Sequence, residues 1–513
     1  MTDLYDETAY RLVAPMRPAT LHGALSPRIR LAVHALAWSI AFAALCNALF
    51  FVLRVTSPVM QSDAWYFLDV FLRKAIDGHL SIADFFVKRP QADHAQPLFK
   101  LVLLLEWRYF NLDFMVEAVV GAIAAAGCAL IFYRMVFAGS QSHRREIVPS
   151  LAWATICALL FSMNAEAMVW TWSLITLEYL NLLYVLLFMM AAWHAIQKRN
   201  YLLLALTSVL VGIGCDDLGL LALLAVSLAL LLGRFRDPAL RQLPVSKILV
   251  MVGVCTIAVR IGYAYAPIVG PGRPESALAH VDMLPIRLLD GGWWKWIVWP
   301  LVFPVFNEGT MSAGQAELWA MAWPVIAVLL MSAHLWFWHR AVRSKFNLPV
   351  FVAVCLMIFG YAQIAGIVLG RVAVDGNDYL QQPRYMVRYA QLLIALLLMW
   401  ACSSESSSPR SGRRRCATAV AAAGCLALLA MQIPLSVHAW WMAPYNRAYQ
   451  VHMANQIDEL ARHPSSNIAC LPELPVCTWP TERRQELTHL LSDNRLNVFS
   501  PQVQKRHDYL PVF

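Results

Sequence analysis

The sequence predicts an all-α polytopic membrane protein with about eleven transmembrane helices. The chain has 513 residues, of which 59% are hydrophobic and only 14% are charged. Soluble domains are closer to half apolar and a quarter charged. The apolar residues occur in continuous runs, long enough for the roughly 20 helical residues that cross a hydrocarbon core. Continuous runs also exclude an outer-membrane barrel, whose strands alternate apolar and polar residues.

The predicted spans follow the apolar runs in order. They are 31–53, 115–137, 150–163, 173–196, 201–214, 218–232, 248–268, 316–338, 348–369, 386–401 and 417–437. Lys and Arg concentrate in the short loops on one side, which predicts a multi-pass inner-membrane protein with its N-terminal segment (1–30) in the cytoplasm. The first apolar run is a full span, so no cleavable signal peptide is expected. These loops also account for the net charge of +9, and the sequence does not favour nucleic-acid binding.

The transmembrane domain is predicted to cover 31–437 and to carry three external segments. They are a first external loop (54–114), a second external loop (271–315) and a small external, periplasmic C-terminal tail (438–513). Within the first loop, stretches 64–76 and 98–110 are predicted to be short helices at the membrane interface. The first of them has an apolar face opposite Asp69, Arg73 and Lys74, the pattern of a helix that lies along a bilayer.

The tail has its own secondary structure and chemistry. A helix is expected near 483–493. Cys470 and Cys477 are the two of eleven cysteines that lie in the tail, and they predict a disulfide if this side of the membrane is oxidising. The other nine lie in or beside apolar spans, where cysteine behaves as a small buried hydrophobe.

Ionisable residues near membrane spans are costly, so their positions carry functional information. Most of them fall at the outer ends of the predicted spans: Glu178, Asp216, Asp217, Arg260, Glu317, Arg371, Asp375, Asp378, Arg384 and Arg388. A secondary transporter is expected to bind its substrate near the midplane of the bilayer. A charged layer at the outer leaflet suits chemistry on a substrate whose lipid tail stays in the membrane.

Asp63, directly after the first span, has three interpretations. It is a general base that deprotonates an acceptor hydroxyl, or a ligand of a divalent cation (Mg²⁺ or Mn²⁺) together with Asp93 and His94. The third interpretation is a helix cap, because Ser62 and Asp63 are both good N-cap residues. Capping and catalysis are compatible.

The arginines at the outer ends of the late spans also have two interpretations. Arg371, Arg384 and Arg388 are suited to a lipid phosphate, because a guanidinium offers a planar fork of donors. Alternatively they reach for lipid head groups or pair with Asp375 and Asp378. Asp216 and Asp217, after a Gly-containing turn, either cap the following helix or support a site near Asp63.

Three short motifs fit one known layout. An acid, Asp63, comes soon after the first span; His94-Ala95-Gln96-Pro97-Leu98 is a His-x-x-Pro-Leu stretch before the second span; Arg384-Tyr385 opens a late span. This arrangement resembles the GT-C glycosyltransferases, over most of residues 28–400. The first loop has a single acid where that superfamily often has a pair, which leaves the metal requirement open.

The resemblance implies an inverting glycosyltransferase, a hexosyl- or pentosyltransferase. It would move a sugar from a polyprenyl-phosphate donor to a cell-envelope acceptor, a lipid, glycan or protein, at the outer face of the inner membrane. Asp63 would be the catalytic base, and the residues around it are expected to support it: Asp93, His94, Asp216 and Asp217. The donor phosphate would be held by cations: Arg384, Arg388, Arg371, Lys88 and Arg89. The alternatives are a transporter or flippase of lipid-linked saccharides, and a non-catalytic envelope-assembly protein.

Overall fold

A computed structural model describes residues 27–88, 95–137, 147–164, 168–236, 238–241, 245–264, 281–305, 316–403, 412–465 and 468–512. The helices are α1 Pro27–Val55, α2 Asp63–Phe67, α3 Arg73–Ile76, α4 Pro97–Phe110, α5 Met115–Phe137, α6 Ile147–Leu160, α7 Met168–Thr171, α8 Ser173–Thr176, α9 Glu178–Gln197, α10 Tyr201–Cys215, α11 Asp217–Arg236, α12 Pro238–Arg241, α13 Val245–Ala264, α14 Leu284–Leu289, α15 Lys295–Val302, α16 Ala316–Ala341, α17 Leu348–Ile367, α18 Ala373–Asp375, α19 Met386–Ser403, α20 Gly412–Arg462, α21 Thr481–Asp493 and α22 Pro501–Arg506. Two π-helical turns, Leu68–Leu72 and Val368–Val372, join α2 to α3 and α17 to α18.

Long apolar helices dominate the described residues, as the sequence predicts. Eight of them have the length and composition to cross a membrane: Leu31–Val55, Met115–Phe137, Ser173–Gln197, Asp217–Phe235, Met321–Ala341, Leu348–Asp375, Pro383–Cys402 and Thr418–Arg462. Three shorter apolar helices also coincide with predicted spans: Ile147–Leu160, Tyr201–Cys215 and Val250–Tyr263. The all-α class is therefore confirmed, and the number of about eleven spans stays a prediction.

The helices form a bundle in which Pro383–Cys402 is the most enclosed of the eight long helices, with 89% of its apolar stretch buried. α17 packs against α19, α9 against α10, and α1 against α6. Small residues allow the closest approaches, as is usual between membrane helices. At Gly121 on α5, a Cβ would lie 2.3 Å from the carbonyl oxygen of Thr176, so only glycine fits there. The bundle core is a single continuous cluster of buried side chains.

A second hydrophobic core lies at one end of the bundle, and it joins the first loop to the C-terminal segment. α20 continues to Arg462, beyond the predicted end of the last span at 437. A face of this extension is buried, with Met453, Ile457 and Leu460 each exposed by 1% or less. It packs with first-loop and tail side chains. The tail is therefore built into the structure of the first loop.

The two helices predicted at the membrane interface differ from each other. In the helix that starts at Asp63, the apolar residues Trp65, Leu68 and Phe71 are completely buried in the second core. Asp69, expected on its polar face, is also buried and pairs with Arg483 of α21. The open apolar face predicted for this helix is therefore covered by protein.

α4, by contrast, has an exposed apolar stripe and two buried charged residues. Leu101, Leu105 and Tyr109 are 50%, 50% and 69% exposed, whereas Lys100 and Glu106 are fully buried. In water such an arrangement is unfavourable, because exposed apolar surface and buried charge are both costly. An apolar outer stripe suits contact with lipid, which agrees with the predicted interfacial position of this helix.

Candidate functional site

Most of the charged residues selected from the sequence lie at the end of the bundle that carries the second core, here called the loop end. α1 ends there, and the first loop leaves from it. α9 and α19 begin close together, and α10 ends where its terminal turn meets the first loop. Because successive helices run in opposite directions, residues far apart in sequence meet at this end.

An ion pair joins α9 and α19 at the loop end. Arg388 Nη2 donates to Glu178 Oε1 at 3.0 Å, and Asn181 Nδ2 approaches the other carboxyl oxygen at 3.5 Å. Both side chains are largely buried, with 25% and 12% of the Arg388 and Glu178 side chains exposed. A pair of this kind fixes Arg388 in place and neutralises much of its charge. Arg388 therefore pairs with Glu178 rather than with Asp375 or Asp378.

Arg384, one turn earlier, sits among tyrosines. Its Nη2 donates to the Tyr379 hydroxyl, and its guanidinium carbon lies 5.2 Å and 5.3 Å from the ring centres of Tyr379 and Tyr385. The Arg384 Nε is buried and has no hydrogen-bond acceptor in the described part of the chain. Arg384 thus makes no ion pair within the described ranges and has a spare donor, which is the state an anion-binding arginine requires.

The short helix α7 connects Arg384 to the start of the first loop. The Ser57 amide donates to Thr171 O at 3.1 Å, and the Thr56 hydroxyl donates to Trp170 O at 2.5 Å. The turn Pro383–Tyr385 packs against the same helix. The chain that leads to Asp63 and the turn that carries Arg384 therefore share one support.

A second charged group lies where α10 ends and α11 begins. Arg260 of α13 pairs with Asp217, and its Nη1 lies 4.0 Å from Asp216 Oδ1. Asp216 has a positive φ of 50° and is 5% exposed. Its Oδ2 accepts the backbone N–H of Ala95 at 2.8 Å. Asp216 thus contacts the first loop through its side chain, and its capping of α11 stays a prediction.

Lys100 is a buried lysine near the Asp216 group. Its Nζ donates to three backbone carbonyls, Asp84 O at 3.0 Å, Phe85 O at 3.0 Å and Val87 O at 2.6 Å. Burial lowers the pKa of Lys100 to about 7, and the charges of Asp216 and Asp84 oppose that shift. Three acceptors match the three donors of an ammonium group. Lys100 therefore fixes residues 84–87 to α4, beside the Asp216 group.

Asp63 is the first residue of α2 and is partly exposed. Ser62 has a positive φ of 51°, and its side chain makes no capping hydrogen bond. Its backbone N–H donates instead to Glu473 O of the tail, at 2.6 Å.

The other predicted site residues have different outcomes. Lys88 is 9% exposed, and Arg371 is exposed. Arg89, Asp93 and His94 lie outside the described residues, as does Glu317 for its side chain. Much of the second external loop is also outside them. Cys470 and Cys477 are joined by a disulfide, with their Cα atoms 6.3 Å apart.

The proposed divalent-cation site stays a prediction. Among the described residues, no three His, Cys, Asp or Glu side chains form a group that could hold a metal ion. Two of the three expected ligands, Asp93 and His94, lie outside those residues. Asp216 and Asp217, two other acids expected to support this site, face Arg260, which is an unfavourable surrounding for a cation.

Several buried polar residues near the site were not selected from the sequence. Lys100 and Glu106 are charged residues inside an otherwise apolar stretch, and this contrast could have identified them. The stretch is not a predicted span, so the argument from ionisable residues near spans does not include them. Asp113, Asn497 and His507 carry no comparable signal, because their partners lie hundreds of residues away: Asn497 Oδ1 accepts the Met60 amide across 437 positions.

No protein-family model matches the chain, and neither a curated protein nor a solved structure shows significant similarity to it. Functional inference therefore depends on the residues and their geometry.

Proposed function

We propose that the protein is an integral-membrane glycosyltransferase that transfers a sugar from a polyprenyl-phosphate donor to a cell-envelope acceptor at the outer face of the inner membrane. The observation that carries this proposal is the position of Arg384. It is a charged arginine with an unused buried donor, and α7 links it to the loop that bears Asp63. An exposed apolar stripe on α4 lies on the same loop, which suits a substrate held in the bilayer.

In the proposed reaction the donor phosphate is the leaving group. Arg384 would hold its oxygens and stabilise the negative charge that develops as the bond to the anomeric carbon breaks. The acceptor hydroxyl attacks that carbon from the opposite face, so the configuration inverts. Its proton passes to the Asp63 carboxylate. The electron pair of the broken bond stays on the phosphate.

The three arginines expected to bind the donor phosphate have different surroundings, and we assign them different roles. Arg388 is held by Glu178 at 3.0 Å, so its role is to orient the outer end of α19. Arg371 is exposed and belongs to the π-helical turn after α17. Arg384 is therefore the principal candidate for the phosphate ligand, with Arg388 as its neighbour.

The test is the variant Asp63→Asn in membranes supplied with labelled polyprenyl-phosphate sugars. Removal of a general base typically lowers a rate by about 10²–10⁴-fold, and a loss in that range is expected. Asp77→Asn, at an exposed acid of the same loop, is the matched control and should retain full transfer. Equal transfer by wild type and Asp63→Asn at equal membrane levels contradicts the assignment of the base.

The same assay separates the alternatives. A transporter of lipid-linked saccharides would carry the label across the bilayer and leave it on its polyprenyl carrier. An assembly protein without catalytic activity would form no labelled product in any variant. Only a transferase moves the label to a new acceptor.

A further inference from the structure

A cluster of three buried carboxyl groups lies where the end of the chain meets the first loop. Glu106 of α4, Asp113 of the following turn and Glu117 of α5 are 0%, 0% and 2% exposed; they are called the acid cluster here. Arg506 Nη1 lies 3.0 Å from Asp113 Oδ2, and His507 Nε2 lies 3.1 Å from both oxygens of the same carboxylate. The cluster therefore anchors the C-terminal residues.

The residues that supply these anchors form a strap, defined as residues 497–510, which lies across residues 110–113. Asn497 donates to Pro58 O and Leu112 O at 2.8 and 2.6 Å and accepts the Met60 amide at 3.0 Å. Arg506 Nη2 donates to Phe110 O at 2.9 Å. The C-terminal strap thus holds the segment that leads to Asp63.

The charges of the cluster do not balance. Three carboxyl groups face one guanidinium and one imidazole. Glu117 Oε2 accepts the Ser173 hydroxyl at 2.9 Å. Neither oxygen of Glu106 has a hydrogen-bond partner of ordinary geometry in the described ranges. An unpaired carboxylate in such a place costs several kcal/mol, so the group holds a proton instead.

Burial raises the pKa of Glu106 well above that of an exposed glutamate, and the nearby Glu117 and Asp113 raise it further. The backbone of Glu117 and the charge of Arg506 oppose this shift. The other titratable groups near the strap are His507, already named, and Arg447 and Asp508 beside Tyr509.

We infer that the C-terminal strap is a proton-dependent latch, which closes on the first loop while Glu106 is protonated and loosens when Glu106 ionises. The strap covers the turn next to Glu106, so a carboxylate there reaches water when the strap lifts. The direction follows from linkage. A raised acid pKa means that the docked state binds more protons, so docking is strongest at low pH and weakens as pH rises through that pKa.

Undocking of the C-terminal strap can be measured as the rate of trypsin cleavage after Lys505 and Arg506, which lie within it. The full-length protein in detergent would be digested at about pH 6 and about pH 9. Each rate would be divided by that of a free peptide of the same sequence, to remove the pH dependence of trypsin itself. We expect corrected cleavage of the wild type to be about tenfold faster at the higher pH, which corresponds to about 1.4 kcal/mol of docking free energy.

Glu106→Gln carries the decisive comparison, because a glutamine has the shape of the protonated acid and cannot ionise. Its cleavage should change by less than about twofold over the same range, whereas His507→Gln should retain most of the pH dependence. Glu106→Met serves the same purpose if the glutamine variant does not fold. A flat wild-type profile overturns the inference, and so does a tenfold change that persists in both Glu106 variants. No step of this test uses glycosyl transfer, so its outcome is independent of the proposed function.

Discussion

Lys100 and Glu106 lie on the same helix, α4, and both are completely buried, yet their surroundings are opposite. The lysine has three carbonyl acceptors within 3.0 Å. The glutamate has no partner of ordinary geometry among the described residues. A buried charged group with a full set of partners holds those partners in place. A buried carboxylate without partners must bind a proton to stay buried. Lys100 is therefore held by three carbonyl groups, whereas Glu106 stays buried only while it carries a proton.

The largest expected effect comes from Lys100, whose ammonium donors all have acceptors. Lys100→Met would leave the carbonyl oxygens of Phe85 and Val87 without this donor, and that of Asp84 with the Val87 N–H alone. Loss of one partner from a buried charged network typically costs about 3–5 kcal/mol, and we expect a comparable loss of stability, measured as the denaturation midpoint of purified protein in detergent. Lys345→Met, at an exposed lysine, should change it very little. Equal midpoints for the two variants would show that the carbonyl contacts of Lys100 are dispensable.

Asn497 provides a smaller test of the same principle on the strap side. Asn497→Ala removes two donated bonds and one accepted bond, in a residue that is fully buried. Leaving such backbone groups unsatisfied costs about 1–3 kcal/mol, and hydrogen exchange of residues 58–62 should accelerate with it. The control is Asn494→Ala, because Asn494 is exposed and donates only within its own helix, to Leu490 O. Unchanged hydrogen exchange at residues 58–62 would show that the strap does not stabilise the first loop.

The sequence predicted the elements of the fold better than their assembly. Long apolar runs have a direct physical link to spanning helices, and the tail helix expected near 483–493 is α21, Thr481–Asp493. The burial of Trp65 and Phe71 was not predictable in this way, because the covering residues come from the far end of the chain. Short polar segments carry no periodic signal that identifies such a distant partner.

The candidate site shows the same division. Asp216, Arg384 and Arg388 were predictable as site residues, because they are charged and lie at the ends of predicted spans. Their partners were not predictable. Asp216 binds a backbone amide, at Ala95, and backbone groups have no signature in sequence. The Arg388–Glu178 pair depends on which helices are neighbours, and charge patterning alone does not determine that.

The central claim, that Arg384 marks a polyprenyl-phosphate site, is tested most directly by binding. Affinity of the purified protein for a polyprenyl phosphate would be measured for wild type, Arg384→Gln and Arg371→Gln. A charge-assisted contact to an anion is worth about 1.5–3 kcal/mol, so Arg384→Gln should weaken binding by roughly 10- to 100-fold. The exposed Arg371 should be replaceable within about twofold. Equal affinity of wild type and Arg384→Gln would contradict the claim.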